Sequence, residues 1–196
     1  MVMKQNIEIE YKSLLSPIDF NRLKKTFFKD APCIIQENNY YDTIDRSLFS
    51  NKIVPRIRIL NNTKLFTLKQ VLSSNEILEH EISDDNLQID DPRITKLLNE
   101  LNLPTELICV SKSITHRYLI KDEFGEWCLD LNEFDTAVDF ELEYELFDSN
   151  SNELKRFLYL LETYGIPFYK AESKVVRSLK YANKGELKLG TELKTT

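Results

Sequence analysis

Val138-Asp139-Phe140-Glu141-Leu142-Glu143-Tyr144-Glu145-Leu146 alternates without a break. In an extended strand Asp139, Glu141, Glu143 and Glu145 share one face, and Phe140, Leu142, Tyr144 and Leu146 share the other. Such a strand needs an apolar layer on one side and something polar on the other. The same division runs outward from this stretch in both directions. Glu8, Glu10 and Lys12 oppose Ile7, Ile9 and Tyr11. Arg56 and Arg58 oppose Ile57 and Ile59, and Thr67 and Lys69 oppose Phe66 and Leu68. Glu79 and Glu81 oppose Leu78, His80 and Ile82. Thr115 and Arg117 oppose Ile114, His116 and Tyr118, and Cys128 and Asp130 oppose Trp127, Leu129 and Leu131.

The alternation predicts strands over about 4–14, 35–44, 53–61, 63–71, 76–82, 109–121, 126–134 and 138–148. Asn61-Asn62 and Asp122–Gly125 read as hairpin turns. Ser16-Pro17 opens a helix with Phe20, Leu23 and Phe27 on one face, and Asp91-Pro92 opens another with Ile94, Leu97, Leu98 and Leu101. Asn150–Asn152 caps a third, carrying Leu154, Phe157, Leu158 and Leu161 and stopping near Gly165 and Pro167. A short fourth helix covers about 170–182. Residues 1–183 read as a single α+β domain, and 184–196 as a polar tail. About eight mostly antiparallel strands is also the number at which a sheet closes into a small barrel.

Composition bounds the function. The 196 residues include 26 Lys+Arg and 32 Asp+Glu, a formal charge of −6. With 42% apolar residues, 4 Gly and 6 Pro, the chain has material for a core and little for linkers. No apolar run reaches the length of a membrane span, and the opening residues show no signal-peptide pattern. Cys33, Cys109 and Cys128 share no metal or redox spacing and read as reduced core thiols of a cytoplasmic protein. Net acidity disfavours long nucleic acid as a partner.

A solvated sheet face explains any single pair of charges. The set asks for more, because same-face neighbours ~6–7 Å apart repeat one sign: Glu8/Glu10, Arg56/Arg58, Glu79/Glu81, Glu141/Glu143. Paired carboxylates suit a hard divalent cation such as Mg²⁺ or Mn²⁺. Paired arginines suit the oxygens of a phosphate chain. A sheet closed with this face inward makes a charged tunnel whose apolar exterior the helices cover. By the same parity His80, His116 and Trp127 point outward, into the apolar layer.

Glu8-Ile9-Glu10-Tyr11-Lys12 resembles the E-x-E-x-K strand of the CYTH family, the triphosphate tunnel metalloenzymes. Further matches follow in the family's order: Tyr40-Tyr41-Asp42-Thr43, Arg56-Ile57-Arg58, Phe66-Thr67-Leu68-Lys69, Glu79-His80-Glu81, Arg117, Leu129-Asp130, Glu141-Leu142-Glu143-Tyr144-Glu145, and Ser173-Lys174 with Arg177. The resemblance spans about residues 4–181 and implies an eight-stranded antiparallel barrel around a triphosphate site. By position it implies Glu8, Glu10, Asp130, Glu141 and Glu143 as ligands of Mg²⁺ or Mn²⁺, with Glu81 serving a second ion. Lys12, Arg56, Arg58, Lys69, Arg117 and Lys174 would bind the triphosphate, joined by Arg177. Lys69, Tyr41 and Glu81 are the catalytic candidates, with Tyr40 the alternative to Tyr41. Two departures stand out. Val54 occupies the place of a Trp in members specialised for thiamine triphosphate, and the turn Phe134-Asp135-Thr136-Ala137 lacks the glycine common there.

The function these residues point to is metal-dependent hydrolysis of a small triphosphate. The competing expectations are an adenylate cyclase of the same family and a non-catalytic polyphosphate- or nucleotide-binding module. The resemblance leaves a homodimer open.

Overall fold

The computed structural model describes residues 4–148 and 153–182. Eight strands, β1 (Lys4–Leu15), β2 (Cys33–Asp42), β3 (Ile53–Leu60), β4 (Thr63–Val71), β5 (Glu76–Asp84), β6 (Ile108–Lys121), β7 (Gly125–Glu133) and β8 (Val138–Leu146), close into an antiparallel barrel in the order β1-β5-β4-β3-β2-β6-β7-β8. The helices are α1 (Pro17–Lys25), α2 (Ser47–Ser50), α3 (Pro92–Glu100), α4 (Leu154–Thr163) and α5 (Lys174–Tyr181). None of the described helices is long and apolar enough to cross a membrane. The cap expected at Asn150–Asn152 and the tail at 184–196 lie outside the described residues. The four-residue α2 lacks the apolar periodicity that marks the longer helices.

The register decides which face turns inward. Lys12 pairs with Glu143, Tyr40 with Arg56, Arg56 with Thr67, and Thr67 with Glu81. Lys69 pairs with Glu79, Arg117 with Asp130, and Asp130 with Glu141. Cross-strand partners share a face, so the polar rows meet on one surface all the way round. That surface is the lumen. The apolar rows face outward and are covered.

Two outer layers do most of the covering. Over β1, β7 and β8 lie Phe20 and Leu23 of α1 and Phe157 and Leu161 of α4, packed on Ile9, Trp127, Leu129, Leu142 and Tyr144. Trp127 stacks on Tyr144 at 3.9 Å between ring centroids. Over β3, β4 and β5 lie Ile94, Leu97 and Leu98 of α3, packed on Ile57, Phe66, Leu68 and Ile82. Each fully buried side chain of this kind contributes about 1.5–3 kcal/mol. A barrel with a polar lumen draws that stabilisation from its exterior, the reverse of a small barrel filled with side chains.

The helix starts form as their sequence signals predict. Ser16 Oγ accepts from Asp19 N at 3.1 Å ahead of Pro17, and Asp91 accepts from Arg93 N at 2.9 Å ahead of Pro92. The Asn61-Asn62 hairpin holds Asn61 at φ 53°, a left-handed conformation that asparagine tolerates. At the second hairpin Asp122 ties the turn together, accepting from Phe124 N, Gly125 N, the Trp127 indole and the Tyr144 hydroxyl. A Cβ on Gly125 would lie 2.2 Å from the Glu145 carbonyl oxygen, which explains the glycine. The glycine-free turn closes through Phe134 N to Ala137 O at 2.8 Å, and Thr136 anchors it to the end of α5 by donating to Tyr181 O.

All three cysteines are free, but only Cys128 is buried in the core; Cys33 and Cys109 are exposed, contrary to expectation. His80 is buried on the outer face, and His116 sits on that face beside Glu133 at 3.0 Å.

Candidate active site

Two connected cavities form the lumen. The narrower, about 100 Å³, is lined by Glu8, Glu10, Lys12, Tyr40, Arg56, Arg58, Lys69, Arg117, Glu143, Glu145 and Lys174, with Val54, Val71, Ile77 and Val175 among the apolar residues that line it. The wider, about 490 Å³, shares Glu8, Arg56, Arg58, Lys69 and Glu145 and adds Lys4, Glu79, Glu81 and Glu126. Helix α5 lies at the narrow end, where Ser173, Lys174 and Val175 reach the lumen.

Strands β1 and β8 bring acidic groups into contact. Glu8, Glu10 and Glu145 place one carboxylate oxygen each within 4.8 Å of the others. Asp130, Glu141 and Glu143 form a second such trio. The single ligand set implied by the family resemblance therefore divides into two, and Glu145 joins the first. The alternation of β8 and the motif match both include Glu145 on this face, but the ligand set the resemblance implies leaves it out.

Cations lie against both trios. Arg117 donates from Nε and Nη2 to the two oxygens of Asp130, at 2.9 and 2.8 Å, and from Nη1 to Glu145 at 3.1 Å. Lys174 reaches Asp130 at 2.9 Å, Glu143 at 2.8 Å, and Glu141. Lys12 holds Glu10, and Lys69 bridges Glu8 at 2.6 Å and Glu79 at 2.7 Å. Burial would raise the Asp130 pKa, but Arg117 and Lys174 outweigh it and hold it below the usual carboxylate range. At Glu8 burial prevails over Lys69, and with Glu10, Glu145 and Glu79 adding repulsion the pKa rises to about 8. Glu79 goes the other way, to about 2, because Lys69 overcomes its burial. Glu8 and Glu79 share one amine, that of Lys69.

The β3 wall is different. Arg56 is 9% exposed; its Nη2 donates to Thr67 Oγ1 at a long 3.4 Å, and its Nε has no hydrogen-bond partner. Arg58 donates from Nε to Asn38 Oδ1 at 3.0 Å. Among the described residues no carboxylate pairs with either guanidinium. Burial, then Arg56 and Arg117, pull the Arg58 pKa down to about 10. A chain of side chains leads on from Asn38, through Thr115 and Asn132 to Asp139 and Glu141. This support for Arg58 escapes motif reading, because amide and hydroxyl residues on a strand face look like ordinary solvated positions.

Two expected site residues, Tyr41 and Arg177, sit off the cavity wall. Tyr41 packs in the outer layer under α3, where burial pushes its pKa up to about 12. Tyr40 takes the inward place, because it pairs with Arg56 and shares its face. Arg177 is 3% exposed and occupied by Asp139, Glu141 and the Glu172 carbonyl oxygen, away from the cavity wall. It fastens α5 to β8 and is not placed to meet a ligand. Glu81 lines the wide cavity outside both acidic trios, whereas Glu79 is buried and ion-paired. Lys12, Lys69, Arg117 and Lys174 all line the narrow cavity, as do Glu8, Glu10 and Glu143. Asp130 and Glu141 are fully buried behind Lys174.

Known proteins resemble this chain in sequence and fold. The CYTH domain model matches residues 6–179. "Putative triphosphatase YjbK" of Bacillus subtilis strain 168 is 27% identical over 182 residues, covering 89% of this chain and 95% of that protein. A crystal structure from Bacillus halodurans, called a "putative adenylate cyclase", superposes with a TM-score of 0.74 at 27% identity, covering 88% of this chain and 97% of that one. The Hippeastrum protein HpAC1 shares the fold, with a TM-score of 0.68 at 23% identity over 89% of this chain and 95% of its own. A closed barrel with a charged lumen, matched to one domain family over nearly its whole length, identifies the chain as a member of the CYTH family, the triphosphate tunnel metalloenzymes.

Proposed function

We propose that this protein hydrolyses a short triphosphate, inorganic or carrying a small organic group, with Mg²⁺ or Mn²⁺. The observation that carries the reading is the pair Arg56, buried, and Arg58, half-buried, whose guanidiniums line the lumen with no carboxylate among the described residues paired to either. Buried charge without a partner is costly, and a polyanion supplies the partner.

The residues present fit a divalent cation. Glu8, Glu10 and Glu145 offer hard oxygen donors from two strands, close enough to share one ion, and their mutual repulsion is what a dication relieves. Bound there, the ion would neutralise phosphate charge and act as a Lewis acid. The rest falls to the chain. Arg56 and Arg58 hold and orient the phosphate oxygens, and Arg117 and Lys69 add charge beside them. Hydrolysis adds water to the terminal phosphorus and breaks its anhydride bond, releasing orthophosphate and diphosphate. Such transfer is catalysed by positioning and charge stabilisation, so no nucleophilic side chain is required. Glu81 has no cationic partner among the described residues and stands on the inner face beside Thr67. It is our candidate for orienting the water and taking its proton. The Tyr40 hydroxyl, 3.4 Å from Ser113 Oγ and between Arg56 and α5, is our candidate for a phosphate contact at the narrow end.

The name of the Bacillus subtilis relative agrees with hydrolysis. That of the Bacillus halodurans protein suggests cyclisation of ATP, so the decisive assay reads both products. Purified protein is given tripolyphosphate, ATP or thiamine triphosphate with Mg²⁺ or Mn²⁺, and phosphate and cyclic AMP are measured together. Metal-dependent phosphate release, abolished by EDTA, supports the reading. Cyclic AMP as the main product replaces it with the cyclase, and tight binding without turnover replaces it with a binding module.

A further inference from the structure

The lumen cations fall into two kinds. Among the described residues Arg56 and Arg58 touch no carboxylate. Lys12, Lys69 and Lys174 each hold at least one carboxylate of an acidic trio: Glu10 for Lys12, Glu8 for Lys69 at 2.6 Å, and Asp130 and Glu143 for Lys174 at 2.9 and 2.8 Å. All three amines also line the same narrow cavity as the two arginines. Glu8 and Glu10 are also donors in the trio proposed to hold the divalent cation. An ammonium and a dication on one carboxylate repel each other at short range inside a low-dielectric cavity.

From this we infer that Lys12 and Lys69, which hold Glu10 and Glu8 of the proposed metal trio, are exchangeable cations, whereas Lys174 stays in the buried network of Asp130, Glu141 and Glu143. Each exchangeable lysine holds its carboxylate until that carboxylate takes the metal, and then swings to the phosphate oxygens. Lysine suits the task, being a point charge on a flexible stem with donors that re-aim freely. Arg117 does not, because its planar fork is committed to both oxygens of Asp130. The inference rests on the proposed metal-dependent triphosphate reading. It adds that the protein itself couples the two ligands. By linkage, the factor by which the metal raises triphosphate affinity equals the factor by which triphosphate raises metal affinity.

The test is binding, not turnover. Mn²⁺ binding is followed by the electron paramagnetic resonance of free Mn²⁺. Binding of imidotriphosphate, which resists hydrolysis, is followed by calorimetry at saturating Mn²⁺. Lys69→Met and Lys12→Met should each bind Mn²⁺ alone about tenfold more tightly than wild type and imidotriphosphate about tenfold more weakly, the scale of one charged hydrogen bond. Opposite signs in the two assays are what a merely structural lysine would not produce. Arg56→Gln is the contrast: it weakens imidotriphosphate binding and raises Mn²⁺ affinity far less than either lysine variant. Thermal melting guards against misfolding, since Lys69→Met should melt lower than wild type in chelator and recover with Mn²⁺.

If wild type binds both ligands but the lysine variants bind Mn²⁺ no more tightly than wild type, exchange is overturned while the proposed function stands. If wild type with Mn²⁺ binds no imidotriphosphate, both are overturned.

Discussion

Strand β3 lies four places from β8 in either direction around the barrel, so their inner faces look at each other across the lumen. On the β8 side, acids and bases are interleaved. Asp130, Glu141 and Glu143 are almost fully buried, and Arg117, Lys174 and Arg177 satisfy them. On the β3 side two guanidiniums stand together with, among the described residues, only Thr67 and Asn38 as side-chain partners. The first wall is internally neutralised and resembles a structural ion-pair network. The second lacks acidic partners among the described residues, which is the gap that the proposed triphosphate would fill.

The sharpest break in the comparison is to remove the unpaired wall. Arg56→Gln with Arg58→Gln should lower kcat/KM for tripolyphosphate by about 10³-fold, from two lost charged hydrogen bonds, while the protein stays folded. Wild-type kinetics in that double variant would deny β3 the role of anion site.

Removing one member of the paired wall should act on stability instead. Asp130→Ala leaves Arg117 and Lys174 with fewer buried partners and should cost about 3–5 kcal/mol in urea denaturation. A loss below about 1 kcal/mol, the scale of an exposed pair, would show that the wall is not a structural network.

Glu8 lies between the two behaviours and sharpens the contrast through pH. Its folded pKa of about 8 exceeds the ordinary 4.5, so the folded state holds this proton more tightly than the unfolded chain. Its contribution is full below about pH 4.5 and is lost as pH rises toward 8. Glu8→Gln removes that slope. Urea denaturation should show the variant gaining roughly 1–3 kcal/mol on wild type between about pH 5 and pH 8 in the presence of chelator. Parallel profiles would mean that Lys69 keeps Glu8 ionised throughout.

The smallest effect concerns neighbouring tyrosines. Tyr40→Phe should reduce kcat/KM several-fold, whereas Tyr41→Phe should leave it unchanged, since only Tyr40 reaches the lumen. Equal effects would contradict the register of β2.

Much of this was legible beforehand because a strand writes its two environments in alternate residues. The alternation of β8 predicts the lumen face of Glu141, Glu143 and Glu145, and that of β3 predicts Arg56 and Arg58. Ser16-Pro17 and Asp91-Pro92 announce their helices through local hydrogen bonds alone. What could not be read was non-local. Parity within β2 leaves Tyr40 and Tyr41 equivalent until pairing with β3 chooses between them, and the strand shifts register between those two residues. Arg177 carries the residue type of a phosphate ligand, and only the docking of α5 against Asp139 and Glu141 shows that its donors are spent.

The sequence by itself determined the strands, their charged and apolar faces and the family, because these depend on periodicity and short-range order. Tertiary structure alone decided how the charges are partnered: that the carboxylates form two trios, that Glu145 completes one, and that Arg56 and Arg58 stand without acids among the described residues. Partnering depends on distances between strands far apart in the chain, and Coulomb and hydrogen-bond energies fall away over a few ångströms, which residue identity cannot encode.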